Sequence, residues 1–173
     1  MEFQPGQKEI EIIVQKEQLL KDRLLSMNSI LVAYSGGVDS SLLACYSRRI
    51  LKERARIVIG VSASLATDSL EAARSQAESF NWDLEEIETD EVELSQYQAN
   101  DGMRCFYCKA TLFDRLRSLA QRSGVEYIAT GANVDDLKEF RPGHLAASQF
   151  RIVSPLVDAG LGKEEIRYLA CQA

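Results

Sequence analysis

Ser35-Gly36-Gly37-Val38-Asp39-Ser40 follows the apolar run Ile30-Leu31-Val32-Ala33-Tyr34 and opens an apolar-periodic stretch running from Asp39 to Leu51. A glycine-rich turn between a buried strand and a helix lets backbone N–H groups converge on an anion, and the helix N-terminus adds partial positive charge. The hydroxyls of Ser35, Ser40 and Ser41 add donors, and Asp39 is placed to hold a cation or position a nucleotide. The loop lacks the lysine of a Walker A motif, and its glycine spacing does not fit the G-x-G-x-x-G fingerprint.

Outward from this loop, strand and helix patterns alternate. Lys8 to Met27 forms an N-terminal amphipathic helix through Ile10, Ile13, Val14, Leu20, Leu24 and Met27. Ser29 to Tyr34 and Ile57 to Val61 are continuous apolar runs of the kind a strand covered on both faces requires. Thr67 starts a helix with Leu70, Ala73, Ala77 and Phe80 on one side, and Asp83 to Glu88 is a third strand. Thr89 to Gln98 reads as a surface loop or short helix, Cys105 to Arg122 as a helix, Val125 to Thr130 as a fourth strand, and Lys163 to Cys171 as a last helix. The expected fold is α/β and Rossmann-like, with a parallel sheet of about five strands flanked by helices. Ligands collect at the carboxyl ends of such strands, which brings Ser35 to Ser40, Ser62 to Ala66 and Gly131 to Asp136 around one crevice.

The 173 residues suit a single domain, and 46% hydrophobic with 27% charged residues is ordinary globular composition. No apolar run approaches a membrane span, and the first residues lack a signal-peptide pattern, so the expected location is the cytoplasm. The net charge of −6 offers no global attraction for a polyanion and disfavours a nucleic-acid substrate. In that compartment Cys45, Cys105, Cys108 and Cys171 are expected as thiols, metal or cluster ligands, or redox groups rather than a disulfide framework.

The first motif resembles the SGGxDS signature of the PP-loop ATP pyrophosphatases (adenine nucleotide alpha hydrolase type), which cleave ATP between its α and β phosphates. Three further segments narrow the resemblance. Arg104-Cys105-Phe106-Tyr107-Cys108-Lys109 is similar to the R-C-[YF]-x-C-K of the ATP-dependent sacrificial sulfur transferases, the LarE family. Gly131-Ala132-Asn133-Val134-Asp135-Asp136-Leu137 with Arg141-Pro142-Gly143 resembles that family's G-T-N-x-D-D-L…R-P-G, with Ala132 for threonine. Ser154 to Arg167 resembles its S-P-L-x-E-A-G-L-x-K-x-E-I-R, with Asp158 for glutamate.

The resemblance implies ATP-dependent adenylation of a carboxylate on a pyridinium dicarboxylate mononucleotide, with pyrophosphate released. This belongs to the maturation of the nickel-pincer cofactor of lactate racemase. A protein cysteine then gives up its sulfur and is left as dehydroalanine. Asp39 and Ser40 are the expected catalytic residues, with ATP and pyrophosphate held by Ala33, Tyr34, Ser35, Gly36, Gly37, Asp39, Ser40, Ser41, Ser62, Ser64, Gly131 and Asn133. Arg104, Asp135, Asp136 and Arg141 are candidates for substrate or Mg²⁺; ATP and Mg²⁺ are the implied cofactors, and a homo-oligomer the implied assembly.

The family's donor cysteine lies in a P-x-x-C-L-x-S-R segment. No such segment occurs here, so residues 140–173 are expected to lead toward a sulfur-donor region and no sacrificial cysteine is assigned. Helical spacing sets Cys105 and Cys108 on the face of Leu112, Leu116 and Leu119, which favours buried thiols over metal ligands. His144, the single histidine, is expected as a surface residue, and none of the four cysteines is expected in an exposed, electropositive setting. Two other functions are compatible with the motifs: a tRNA-thiolating PP-loop enzyme, and a nucleotide-binding remnant without turnover.

Overall fold

The computed structural model describes residues 5–99, 102–138 and 142–173. Four parallel strands, β1 (Ile30–Tyr34), β2 (Ala55–Val61), β3 (Leu84–Glu88) and β4 (Tyr127–Thr130), form one sheet in the order β3-β2-β1-β4. Val32 at its centre pairs in register with Ile57 on one side and Ala129 on the other. A parallel bridge between Ala129 and Val153 adds a single-residue fifth position beyond β4.

All five residues of β1 are buried, because helices cover both faces. Ile30, Val32 and Tyr34 face one layer, made by α1 (Gln7–Leu25), α2 (Val38–Leu51), α3 (Thr67–Ser79), the short α7 (Pro155–Asp158) and α8 (Lys163–Gln172). Leu31 and Ala33 face the other, where Phe113, Leu116 and Ala120 of α5 (Arg104–Ser123) pack with Ala146 of α6 (Pro142–Gln149). A one-turn helix, α4 (Ser95–Gln98), precedes α5.

In α1 the side buried is that of Ile13, Leu20 and Leu24, while Ile10 and Val14 are exposed. Glu17, which interrupts the apolar pattern, accepts a hydrogen bond from the Tyr46 hydroxyl at 2.7 Å and pairs with Lys21. No helix among the described residues is long and apolar enough to cross a membrane.

The chain leaves β1 toward β2 and β3 on one side of the sheet and reaches β4 on the other. The connections from β1 and β3 therefore diverge, and the crevice outside the carboxyl ends of β1 and β4 is a topological switch point.

Candidate functional site

At that switch point, β1 ends at Tyr34 and α2 begins at Val38 with Gly37 as its N-cap. Gly36 turns the chain through a left-handed conformation, φ +76°, which a side chain would strain. The Ser40 hydroxyl holds the turn closed: its oxygen accepts the Ser35 amide at 3.2 Å, and it donates to the Gly37 carbonyl at 2.9 Å. The Ser41 hydroxyl lies 2.9 Å from both the Gly37 carbonyl and Gln76 Oε1, and the Tyr34 hydroxyl donates to that same Gln76 oxygen. These serine hydroxyls are spent on shaping the loop. The backbone amides at the start of the 14-residue α2, with the helix dipole, are chemically suited to an anion.

Gly131, just past β4, sets how close the second wall comes. A Cβ there would lie 2.6 Å from the Ser40 nitrogen and 2.8 Å from its Cα, so only glycine lets the two strand ends approach. Two residues on, Asn133 is fully buried and ties the walls together. Its Nδ2 donates to Asp39 Oδ2 at 2.9 Å, while its Oδ1 accepts the amides of Asp135 and Asp136 at 2.9 and 3.3 Å. Burial pushes the Asp39 carboxyl above its ordinary value. Asn133 opposes that shift, Asp136 adds to it, and Lys163 and Arg167 from α8 counter it. The resulting cavity, about 630 Å³, is lined by Ala33, Tyr34, Ser35, Gly37, Asp39, Ser40, Gly131 and Asp136, and closed on its far side by Cys105, Cys108, Lys109 and His144.

Other residues expected at the site lie differently. Ser62 and Ser64 contact each other at 2.8 Å, and Ser64 donates to Glu91 at 3.0 Å, so this turn is tied to the start of a 3-10 turn instead of reaching the cavity wall. Arg104 lies with its guanidinium 4.4 Å from the Tyr97 ring centroid and donates to the Tyr97 hydroxyl at 2.9 Å. Asp135 points away from Asp39. It binds the Lys163 amide at 2.8 Å and Lys138 at 2.6 Å, and these contacts hold its carboxyl below the usual range. Asp136 is the member of the pair that lines the cavity, 3.6 Å from the Lys163 ammonium. Arg141 lies outside the described residues.

Two expectations are corrected. Cys105 is exposed and Cys108 half-buried, and both face the cavity. At the start of α5 only Phe106, Ala110 and Leu112 pack partly buried against the core, and the fully buried positions of the helix begin at Phe113. Cys171 is likewise exposed at the end of α8, whereas Cys45 is buried behind the phosphate loop and its thiol is pushed up by that burial. His144 is half-buried at the start of α6 and lines the cavity instead of lying free on the surface. Lys109, Gln76, Glu91 and Lys163 were not among the candidates. Lys109 alone carried a signal, standing inside the Arg104 to Lys109 motif, while the other three meet the site only through tertiary packing.

A parallel sheet with a glycine-serine loop and a helix N-terminus at its switch point is an arrangement suited to a nucleotide. A family model described as asparagine synthase matches residues 17–110, more than half of the chain, and the protein belongs to this family within the PP-loop ATP pyrophosphatase superfamily. The chain is 38% identical over 144 residues to an uncharacterised protein of Synechocystis sp., covering 83% of this chain and 54% of that one. It is 26% identical over 156 residues to the pyridinium-3,5-bisthiocarboxylic acid mononucleotide synthase of Lactiplantibacillus plantarum, covering 90% and 56%. It thus spans little more than half the length of these relatives. The fold superposes on the glutamine-dependent NAD⁺ synthetase of Acinetobacter baumannii, solved with ADP, with a TM-score of 0.73 at 18% identity, covering 99% of this chain and 34% of that one.

Proposed function

We propose that the chain is the adenylating part of a sacrificial sulfur transferase of the LarE type, activating a carboxylate of a pyridinium dicarboxylate mononucleotide with ATP and releasing pyrophosphate. The observation that carries this reading is the convergence of the Ser35–Ser40 loop with Asp39, Asn133 and Asp136 around one cavity. The likeness to the Lactiplantibacillus plantarum synthase supports the choice of substrate.

In the proposed reaction a carboxylate oxygen of the mononucleotide attacks the α-phosphorus of ATP, and the bond to the β-phosphate bridging oxygen breaks. The loop amides and the α2 dipole bind the departing pyrophosphate where its charge develops. Asp39 and Asp136 suit Mg²⁺: they are hard oxygen donors facing the same cavity, and their mutual repulsion leaves negative charge for a cation to offset. Among the described residues no group of three or more His, Cys, Asp and Glu side chains is arranged to hold a metal. Mg²⁺ bound there supplies electrostatic stabilisation of the leaving group. Asn133 fixes the Asp39 carboxylate, Gly131 keeps the second wall close, and Lys109 with His144 faces the loop across the cavity, where an anionic acceptor enters.

The test is product analysis with ATP, Mg²⁺ and the dicarboxylate pyridinium mononucleotide. The reading predicts pyrophosphate and adenylylated mononucleotide in equal amounts, formed only when the mononucleotide is present. ADP and phosphate, or AMP formation indifferent to the mononucleotide, contradict it.

A further inference from the structure

The loop between β1 and α2 has two open sides. Toward α5 it faces the cavity that holds Asp39 and Asp136. Toward α3 it faces a separate recess of about 450 Å³, bounded by Ser35, Gly36 and Gly37 on one side and by Ser69, Ala73 and Gln76 on the other, and all of its lining residues are neutral.

Two contacts hold α3 against the loop. A Cβ on Gly36 would lie 3.6 Å from that of the buried Ala73, which is ordinary van der Waals contact. Gln76 Oε1 accepts the Tyr34 hydroxyl and lies 2.9 Å from the Ser41 hydroxyl. Tyr34 ends β1 and Ser41 stands in the first turn of α2, so one side-chain oxygen ties both ends of the loop to α3. The other end of that amide carries two N–H donors. Among the described residues Gln76 Nε2 makes no hydrogen bond, and neither does the Ser69 hydroxyl in the first turn of α3. With Oε1 taken up by Tyr34 and Ser41, Nε2 is the part of the amide left to serve the recess.

The direction of the adenylation gives this recess an occupant. In an in-line displacement the attacking and leaving oxygens stand on opposite sides of the phosphorus. The acceptor enters by Lys109 and His144, on the wall that faces the loop. The β and γ phosphates therefore extend away from that wall, over the loop amides and toward α3. We propose that the recess between the loop and α3 holds the terminal phosphate of ATP, with Gln76 Nε2 and the Ser69 hydroxyl as its donors. The helix α3 then sets the preference for a triphosphate over a monophosphate. This inference rests on the nucleotide reading above.

The test is calorimetry of the 173-residue protein with Mg·ATP and with AMP, the latter by competition where direct heats are small, on the parent and two variants. Gln76→Glu keeps acceptor oxygens for Tyr34 and Ser41 but loses the Nε2 donors. Ser69→Ala removes the hydroxyl without adding charge, and at an exposed position it keeps the fold. Each is expected to weaken Mg·ATP by about tenfold, the scale of a hydrogen bond to a charged group, and to lower the ratio of ATP to AMP affinity by the same factor. A ratio unmoved in either variant overturns the proposal. Loss of both nucleotides alike is the mark of a purely structural role, and a fall confined to Gln76→Glu is repulsion by the new charge. Failure of the parent to bind Mg·ATP removes the nucleotide reading and this inference with it, whereas binding by the parent with an unmoved ratio removes the inference alone.

Discussion

Asn133, just past β4, donates from Nδ2 to Asp39 Oδ2 at 2.9 Å, joining the first turn of α2 to a segment 94 residues later in the chain. This bond spans the switch point, so the geometry of the phosphate loop depends on the far strand as well as on its own glycines. Replacing Asn133 with Ala removes a donor from a half-buried carboxylate and an acceptor from two backbone amides. The expected cost is roughly 1–3 kcal/mol of stability, read as a lower urea midpoint. Mg·ATP affinity should fall with it, because Asp39 loses its fixed orientation. Unchanged stability and affinity would show that the bond positions nothing.

Gly131 and Gly37 separate close packing from ligand access. Ala at 131 places a Cβ 2.6 Å from the Ser40 nitrogen, and the overlap should cost about 1–3 kcal/mol as α2 is pushed from β4. At Gly37 the backbone is extended, and an added Cβ meets only the Ser35 hydroxyl at 3.5 Å. Gly37→Val should therefore keep the fold, seen as an unchanged circular dichroism spectrum, and lose nucleotide binding by blocking backbone approach to the phosphates. Retained ATP affinity in the folded variant would remove the loop from the site.

Asp39 gives opposite signs for folding and for ligand binding. Its carboxyl is raised in the native state, chiefly by burial, so the folded protein holds that proton more tightly than the unfolded chain. The associated stability is present below the unfolded value near 3.9 and is lost as pH rises through the higher native one. Asp39→Asn should raise the urea midpoint at pH 7, with the advantage shrinking as pH falls through the raised native value of Asp39 and gone below about 4. The same change should weaken Mg·ATP by about tenfold, the scale of one charged contact of ~1.5 kcal/mol. A variant destabilised at pH 7, or one binding Mg·ATP as tightly as the parent, would contradict this balance.

The strand-loop-helix order around Ser35 was legible because β1 is a continuous apolar run covered on both faces and a glycine-serine turn punctuates it. The boundaries of α2, α3 and α5 lie within a residue or two of those expected from periodicity. What sequence could not convey was where an amphipathic stripe leaves the core. Cys105 and Cys108 share helical phase with Leu112 and Leu116, yet at the start of α5 that stripe lines the cavity, and phase alone does not record where it leaves the core. The short helices α6 and α7 carry too few turns for a period, and Glu91 and Gln76 join the site through contacts set by the sheet order. Asp135 and Asp136 look equivalent as neighbours. The 3-10 turn from Val134 to Lys138 separates them, sending one to cap α8 and the other to the cavity.

Titration of ¹⁵N-labelled protein with Mg·ATP, followed amide by amide, tests the central claim that the loop between β1 and α2 cradles the phosphates. The account predicts saturable shifts largest at Gly36, Gly37, Val38 and Asp39, with smaller ones at Gly131 and Asn133 across the crevice. Shifts centred instead on the recess between α1 and α8, around Ile12, Glu164 and Arg167, with the Ser35–Ser40 amides unmoved, would contradict it.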